Sequence, residues 1–177
     1  MAIWDVKENA VKTVLFLCTG NYYRSRFAEE LFNHHAEHAG LDWVADSRGL
    51  ALERGIHNVG PISPFTLHAL GEMAVSARAA DRFPQQCTTD DLTNAALVVA
   101  VKEAEHRPLM RARFAEWENR LDYWHIHDVE DETPAEALKL LAEEVRTLLR
   151  RLPAAGSTVN AAEGMLGVKR PAGRNAH

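Results

Sequence analysis

Cys18 and Arg24 are the two residues whose types and spacing most clearly indicate chemistry in this sequence. Five residues separate the thiol from the guanidinium in the segment 18–25, CTGNYYRS. A loop of that length between a strand and a helix can turn its backbone N–H groups into one concavity, next to the positive end of the helix dipole. Arg24 can close this cradle as a bidentate fork on two oxygens. The pattern therefore predicts a site for an anion about the size of a phosphate.

The residues of this loop have distinct expected roles. Gly20 is expected to supply a positive φ, and Asn21 tolerates the left-handed region better than most residues. Arginine and the helix terminus favour the thiolate of Cys18, which can attack phosphorus and form a phosphocysteine. The Ser25 hydroxyl is placed to donate to the sulfur. The predicted phosphate-binding residues are Thr19, Gly20, Asn21, Tyr22, Tyr23 and Arg24.

Tyr22 and Tyr23 have two interpretations that the sequence does not separate. Their rings can wall the pocket and stack on an aryl phosphate, or they can pack against neighbouring loops.

The elements that must position this loop alternate between strand and helix. Residues 13–18 form an apolar run without alternation, typical of a strand buried on both faces in a parallel sheet. Residues 24–39 show helical spacing, and Gly40 is well placed to end the helix. Further strands are predicted near residues 42–47, 96–101 and 120–124. Further helices are predicted over residues 64–73 and 103–115, and two more are predicted to begin near residues 88 and 134. In the helix over 64–73, Leu67 and Leu70 are expected to face the core. This alternation predicts an α/β fold with helices on both faces of a parallel sheet.

Length and composition limit the classes of protein to which this chain can belong. The 177 residues suffice for one domain, which we place at residues 1–152, with a flexible tail over 153–177. No apolar run approaches the roughly eighteen residues of a membrane span, and no signal peptide is visible, so a cytoplasmic protein without membrane contact is expected. The net charge of −5 argues against nucleic-acid binding. Two cysteines cannot form a disulfide framework.

The motif also has a family resemblance. Residues 14–25 (VLFLCTGNYYRS), followed by 27–29 (FAE), resemble the N-terminal signature of low-molecular-weight protein tyrosine phosphatases. The similarity continues through 46–49 (DSRG), 79–82 (AADR) and 97–100 (LVVA), and covers approximately residues 12–152. It implies a flavodoxin-like three-layer sandwich with a four-stranded parallel sheet. It also implies hydrolysis of phosphotyrosine proteins or small aryl phosphates, without a metal or cofactor and with Cys18 as nucleophile.

The general acid of that family is an aspartate on a loop after the last strand, followed by proline. By this resemblance Asp128 is the candidate that protonates the leaving group and then activates water. Val129 follows it instead of proline. Glu130 and Asp131 are nearby alternatives.

Two further positions depart from the family. Tyr23 stands where many members carry a second, protective cysteine, and Cys87 is interpreted as an ordinary buried thiol. Arg26 replaces the usual proline after the serine, and we expect it to add positive charge near the pocket mouth.

Three other functions remain as alternatives. A reductase of arsenate shares this loop, but with only Cys18 and Cys87 it would need an external thiol. A metal-dependent hydrolase is suggested by His125 and His127 before Asp128, or by His34 and His38 one helical turn apart, although we expect no metal. A phosphate-binding protein with little turnover is the third.

Overall fold

The computed structural model describes residues 10–126 and 133–153 of the chain. It contains four strands, β1 (Lys12–Cys18), β2 (Trp43–Gly49), β3 (Leu97–Ala100) and β4 (Asp122–Tyr123). The α-helices are α1 (Arg24–His38), α2 (Pro64–Glu72), α3 (Thr89–Asn94), α4 (Glu103–Arg113) and α5 (Pro134–Arg151). The predicted alternation of strands and helices is confirmed, with boundaries shifted by a few residues.

The strands form one parallel sheet in the order β2-β1-β3-β4. Strand β1 lies between β2 and β3, so that Cys18 pairs with Gly49 on one side and Leu17 pairs with Ala100 on the other. The chain order reverses between β1 and β3, and ligands of open α/β sheets bind at the carboxyl ends of strands at such a point. The loop after Cys18 begins there.

Alternate residues of β1 face two separate cores, as expected for a strand covered on both sides. Phe16 belongs to a core that includes Phe27 and Phe32 of α1 and Leu141 of α5. Leu17 belongs to a second core on the opposite face, with residues of α3 and α4, Leu92, Leu109 and Met110. Helices therefore cover both faces of the sheet, and the predicted flavodoxin-like three-layer sandwich is confirmed.

Three helices begin directly after a serine or threonine whose side chain can cap the helix N-terminus. Ser63 accepts a hydrogen bond from the amide of Phe65 at the start of α2. Thr88 and Thr133 each form a capping box, with Asp91 and Glu136 three residues later. Gly40 has a φ of +61° just after α1.

One predicted core residue is wrong. Leu70 of α2 is fully buried, but Leu67 is 41% exposed. The helix packs against α1 and α5. Its buried residues are Thr66, Ala69 and Leu70, and Leu67 is not among them. The boundary predicted at residue 152 stays a prediction, because residues 154–177 lie outside the described residues.

No helix among the described residues has both the length and the apolar character that crossing a membrane requires.

Candidate active site

Cys18 lies at the carboxyl end of β1, and its sulfur has two hydrogen-bond partners, one in the loop that follows and one in the first turn of α1. The backbone N–H of Asn21 donates to Sγ at 3.2 Å. The hydroxyl oxygen of Ser25 lies 2.9 Å from the same sulfur. Among the described residues, no side chain caps the N-terminus of α1. The first N–H groups of a helix point outward from its N-terminal end, which here follows directly on this loop. This arrangement stabilises negative charge on sulfur and on an anion above it.

Asn21 gives the loop its shape. It has a φ of +47°, in the left-handed region, as predicted. Gly20 is not among the described glycines with positive φ, so its predicted conformation is wrong. Asn21 takes this role because its buried side chain compensates for the strain with three hydrogen bonds. Its Nδ2 donates to Ser25 (3.1 Å) and Ser47 (2.8 Å), and its Oδ1 accepts from the Gln85 amide (2.9 Å).

A buried carboxylate lies behind this network. The Ser47 hydroxyl, which accepts from Asn21, donates to Oε2 of Glu29 at 2.5 Å. Arg82 donates to the same oxygen at 2.5 Å. Burial raises the pKa of Glu29 to about 7, against the opposing effects of the Ser47 hydrogen bond and of the charges on Arg82 and Arg26. A continuous chain of hydrogen bonds thus runs from Glu29 through Asn21 and Ser25 to the sulfur of Cys18.

Gly49, at the end of β2, allows the loop to approach the sheet closely. A Cβ atom at this position would lie 3.0 Å from the backbone nitrogen of Asn21 and 3.0 Å from the carbonyl oxygen of Thr19. It would also lie 2.5 Å from a methyl group of Leu52. A side chain here would therefore displace the loop that carries the site.

Arg24 begins α1 on the far side of the loop from Cys18. Its Nη2 donates to both carboxylate oxygens of Glu105 in α4, each at 2.9 Å. The Thr19 hydroxyl donates to the same carboxylate. Nη1 of Arg24 is buried and has no hydrogen-bond partner among the described residues. Glu105 therefore holds Nη2 of the guanidinium, whereas Nη1 lacks an acceptor among the described residues.

Arg26 does not add charge at the pocket mouth, so that prediction is wrong. Its side chain is fully buried under the loop that follows α2. The guanidinium donates to the carbonyl oxygens of Ala79 (2.5 Å), Arg82 (2.7 Å) and Pro61 (3.4 Å). The first turn of α1 directs this side chain inward, where those carbonyl groups supply the acceptors that a buried cation needs. Arg26 thus holds distant segments around the base of the site.

The two loop tyrosines contact neighbouring segments through their hydroxyl groups. Tyr22 donates to the carbonyl oxygen of Val59 at 2.7 Å, and Tyr23 to that of Pro134 at 2.7 Å. Of the two predicted interpretations, these contacts favour packing against neighbouring loops.

The other candidate residues lie apart from the loop or outside the described residues. Asp128, its alternatives Glu130 and Asp131, and His127 fall within residues 127–132, which the structure does not describe. Cys87 is buried, and burial raises the pKa of its thiol to about 12, with a smaller effect of Asp91. It belongs to the core on the opposite face of the sheet from Cys18.

The histidines considered as metal ligands are surface residues where they are described. The rings of His34 and His38 lie 4.3 Å apart, and His125 is paired with Glu103 at 3.3 Å. Across residues 10–126 and 133–153, no three potential ligand side chains converge on a common point.

The sequence motif predicted one site that contains Cys18, Thr19, Asn21, Arg24 and Ser25. It did not predict the residues that support them. Ser47 and Gly49 lie in the segment DSRG, which carried a family resemblance without an assigned role. No pattern in the sequence around Glu105 indicated its role, because the residues that it contacts, Arg24 and Thr19, lie 81 and 86 residues away along the chain.

Comparison with known proteins is consistent with this geometry. The family model described as low molecular weight phosphotyrosine protein phosphatase matches residues 13–158. No curated protein matches the sequence.

Solved structures with the same fold cover most of the chain. A low molecular weight protein tyrosine phosphatase from T. tengcongensis is 23% identical with a TM-score of 0.66, over 80% of this chain and 99% of that one. YfkJ from Bacillus subtilis is 26% identical with a TM-score of 0.65, over 81% and 95%. Wzb from Vibrio vulnificus, solved with benzylphosphonate, is 17% identical with a TM-score of 0.66, over 80% and 99%.

Proposed function

The chain belongs to the low molecular weight phosphotyrosine protein phosphatase family, and we propose that it hydrolyses phosphomonoesters through a phosphocysteine at Cys18. The observation that carries this proposal is the position of the Cys18 sulfur, 3.2 Å from the Asn21 amide and 2.9 Å from the Ser25 hydroxyl. Hydrogen-bond partners on the sulfur and a neighbouring helix N-terminus are typical of a reactive cysteine, because both stabilise the thiolate that acts as the nucleophile.

In the first step the Cys18 thiolate attacks phosphorus, a P–S bond forms, and the bond to the leaving oxygen breaks. Backbone N–H groups of the loop and the guanidinium of Arg24 bind the phosphoryl oxygens as charge builds on them. The leaving oxygen takes its proton from a carboxylic acid, for which Asp128 remains the candidate.

In the second step a water molecule attacks the phosphocysteine, the P–S bond breaks, and inorganic phosphate leaves. The same carboxylate accepts the proton of the water. The sulfur departs as a thiolate, and Ser25 is positioned to stabilise it. Nδ2 of the Asn21 side chain donates to the Ser25 oxygen. A thiolate has no hydrogen to donate, so the Ser25 hydroxyl is the donor in its contact with the departing sulfur. Every group in these steps belongs to the chain, so the proposal needs neither a metal nor a cofactor.

We propose phosphotyrosine proteins or small aryl phosphates as the substrates. Membership of the family supports this class, and the complex of Wzb with benzylphosphonate, a phosphonate that carries an aromatic ring, supports it by similarity.

Hydrolysis of p-nitrophenyl phosphate in the presence of a chelator tests the proposed function. The wild type should be active, Cys18→Ser inactive, and Cys87→Ser comparable to the wild type, because Cys87 lies in the opposite core. A folded, fully reduced wild type without activity would contradict hydrolysis. Phosphate binding without turnover would then indicate a binding protein, and thiol-dependent reduction of arsenate would indicate the reductase.

A further inference from the structure

The carboxylate of Glu105 joins the loop of Cys18 to the helix that follows β3. It accepts hydrogen bonds from Thr19, directly after the nucleophile, and from Nη2 of Arg24 at 2.9 Å. Glu105 lies in the first turn of α4, whereas the other two residues follow β1. The contact therefore crosses the point between β1 and β3 where the order of the sheet reverses.

The neighbours of Glu105 fix its position and its charge. The Lys102 amide donates to Nδ1 of the fully buried His106 at 3.1 Å, so the neutral ring carries its proton on Nε2. That Nε2 lies 3.7 Å from Oε1 of Glu105, and the Lys102 ammonium lies 3.8 Å from Oε2. Burial by itself raises the pKa of Glu105, but His106, Arg24 and Thr19 together hold it well below the ordinary value. The carboxylate is ionised at neutral pH.

The contacts of Arg24 indicate whether Glu105 positions the guanidinium or instead occupies the place of the phosphate. Glu105 contacts only Nη2, and the Glu105 side chain is the more exposed partner, 28% against 14% for Arg24. Nη1, which is buried, is left without an acceptor among the described residues. An unpaired buried donor costs free energy that an arriving anion oxygen recovers. A carboxylate that merely imitated the phosphate would satisfy this donor.

We propose that Glu105 is a positioning residue for Arg24, holding the guanidinium so that its remaining donors face a phosphoryl oxygen. The inference rests on the proposed function, in which Arg24 binds the phosphoryl group. Through Arg24, α4 would then contribute to the affinity of the loop for phosphate.

Binding of inorganic phosphate, measured by calorimetry, tests this proposal without requiring turnover. Glu105→Ala should weaken phosphate binding roughly tenfold, the effect of losing one charge-assisted contact that orients the arginine. Glu105→Asp should recover part of the affinity. The matched control is Glu103→Ala in the same turn, whose carboxylate pairs with Arg107 at 2.7 Å and does not contact the loop. It should bind phosphate within about twofold of the wild type.

A double-mutant cycle shows whether the effect passes through Arg24. In an Arg24→Lys background, Glu105→Ala should cause little further loss of phosphate affinity. An equal loss in both backgrounds would overturn the proposal, as would unchanged or tighter binding by Glu105→Ala, because a blocking carboxylate gives that result. Glu105→Gln serves the same test should the alanine variant fail to fold. Failure of the wild type itself to bind phosphate would instead overturn the proposed function.

Discussion

The Ser25 hydroxyl oxygen lies 2.9 Å from the sulfur of Cys18 while it accepts a hydrogen bond from the side-chain Nδ2 of Asn21 at 3.1 Å. A thiolate sulfur carries no hydrogen, so in that state the Ser25 hydroxyl is the donor of this contact and stabilises the negative charge. A hydrogen bond to a charged group contributes about 1.5–3 kcal/mol. Ser25→Ala should therefore lower kcat for p-nitrophenyl phosphate roughly tenfold to a hundredfold, with a smaller change in KM.

The matched control for this variant is Ser76→Ala, at an exposed serine outside the network. It should retain the kinetic constants of the wild type. A Ser25→Ala enzyme with unchanged kcat would show that the serine supports only the fold of the loop.

The two cysteines should differ sharply in reactivity. Iodoacetate, an anion, should alkylate Cys18 in the folded protein at neutral pH, and inorganic phosphate should protect it. Cys87 should stay unmodified, because burial raises the pKa of its thiol to about 12. Exposure does not separate the two residues, since each is 3% exposed. Peptide mapping by mass spectrometry measures both sites. Equal modification of Cys87 in the native protein would contradict this difference.

The local part of the site was predictable from sequence because it depends on neighbours along the chain. An apolar strand, a five-residue loop and a helix start put Cys18 and Arg24 at the two ends of one loop at the carboxyl edge of the sheet. The support of the loop was not predictable in this way. Asn21 bonds to Ser47, 26 residues away, and to Gln85, 64 residues away, so its role becomes visible only in the folded sheet.

The burial of Arg26 was likewise not predictable from the residues around it in the sequence. An arginine in the first turn of a helix is normally exposed, and sequence reasoning placed it accordingly. The carbonyl groups that accept its hydrogen bonds belong to Pro61, Ala79 and Arg82, 35 to 56 residues further on. No local pattern signals that such acceptors are available.

Gly49 should be intolerant of even a methyl group. A Cβ atom there would lie 3.0 Å from backbone atoms of Thr19 and Asn21, and overpacking of this kind costs about 1–3 kcal/mol. Gly49→Ala should lower kcat/KM roughly tenfold or more, because the displaced loop no longer aligns its donors. Steady-state kinetics and urea unfolding measure the two effects.

Gly71 in α2 is the matched control, since a Cβ atom there meets nothing within 4 Å. Gly71→Ala should leave kcat/KM unchanged and raise stability by about 0.5–1 kcal/mol. If Gly49→Ala behaves like Gly71→Ala, the loop does not depend on this close approach.

Glu29 should make a pH-dependent contribution to stability. Its pKa in the native state is about 7, above the 4.5 of a free side chain, so the native state retains this proton to higher pH than the unfolded state. The contribution is complete below pH 4.5 and is lost as the pH rises to about 7. The loss amounts to roughly 3 kcal/mol, since one unit of pKa corresponds to about 1.4 kcal/mol.

Urea unfolding of the wild type and Glu29→Gln across this pH range isolates the effect from that of the histidines. The difference in unfolding free energy, wild type minus variant, should decrease as the pH rises. A difference that instead increases with pH would show that Arg82 and Arg26 keep the carboxylate ionised.

The central claim is that turnover passes through a phosphoryl group on the sulfur of Cys18. The most direct test is rapid quenching in denaturant at mildly alkaline pH, where the P–S bond survives, during hydrolysis of p-nitrophenyl phosphate, followed by mass spectrometry of the peptide that contains residues 18–24. The account predicts a phosphorylated Cys18 during turnover that disappears when substrate is exhausted. Turnover without a phosphorylated Cys18, or with the phosphoryl group on another residue, would contradict it.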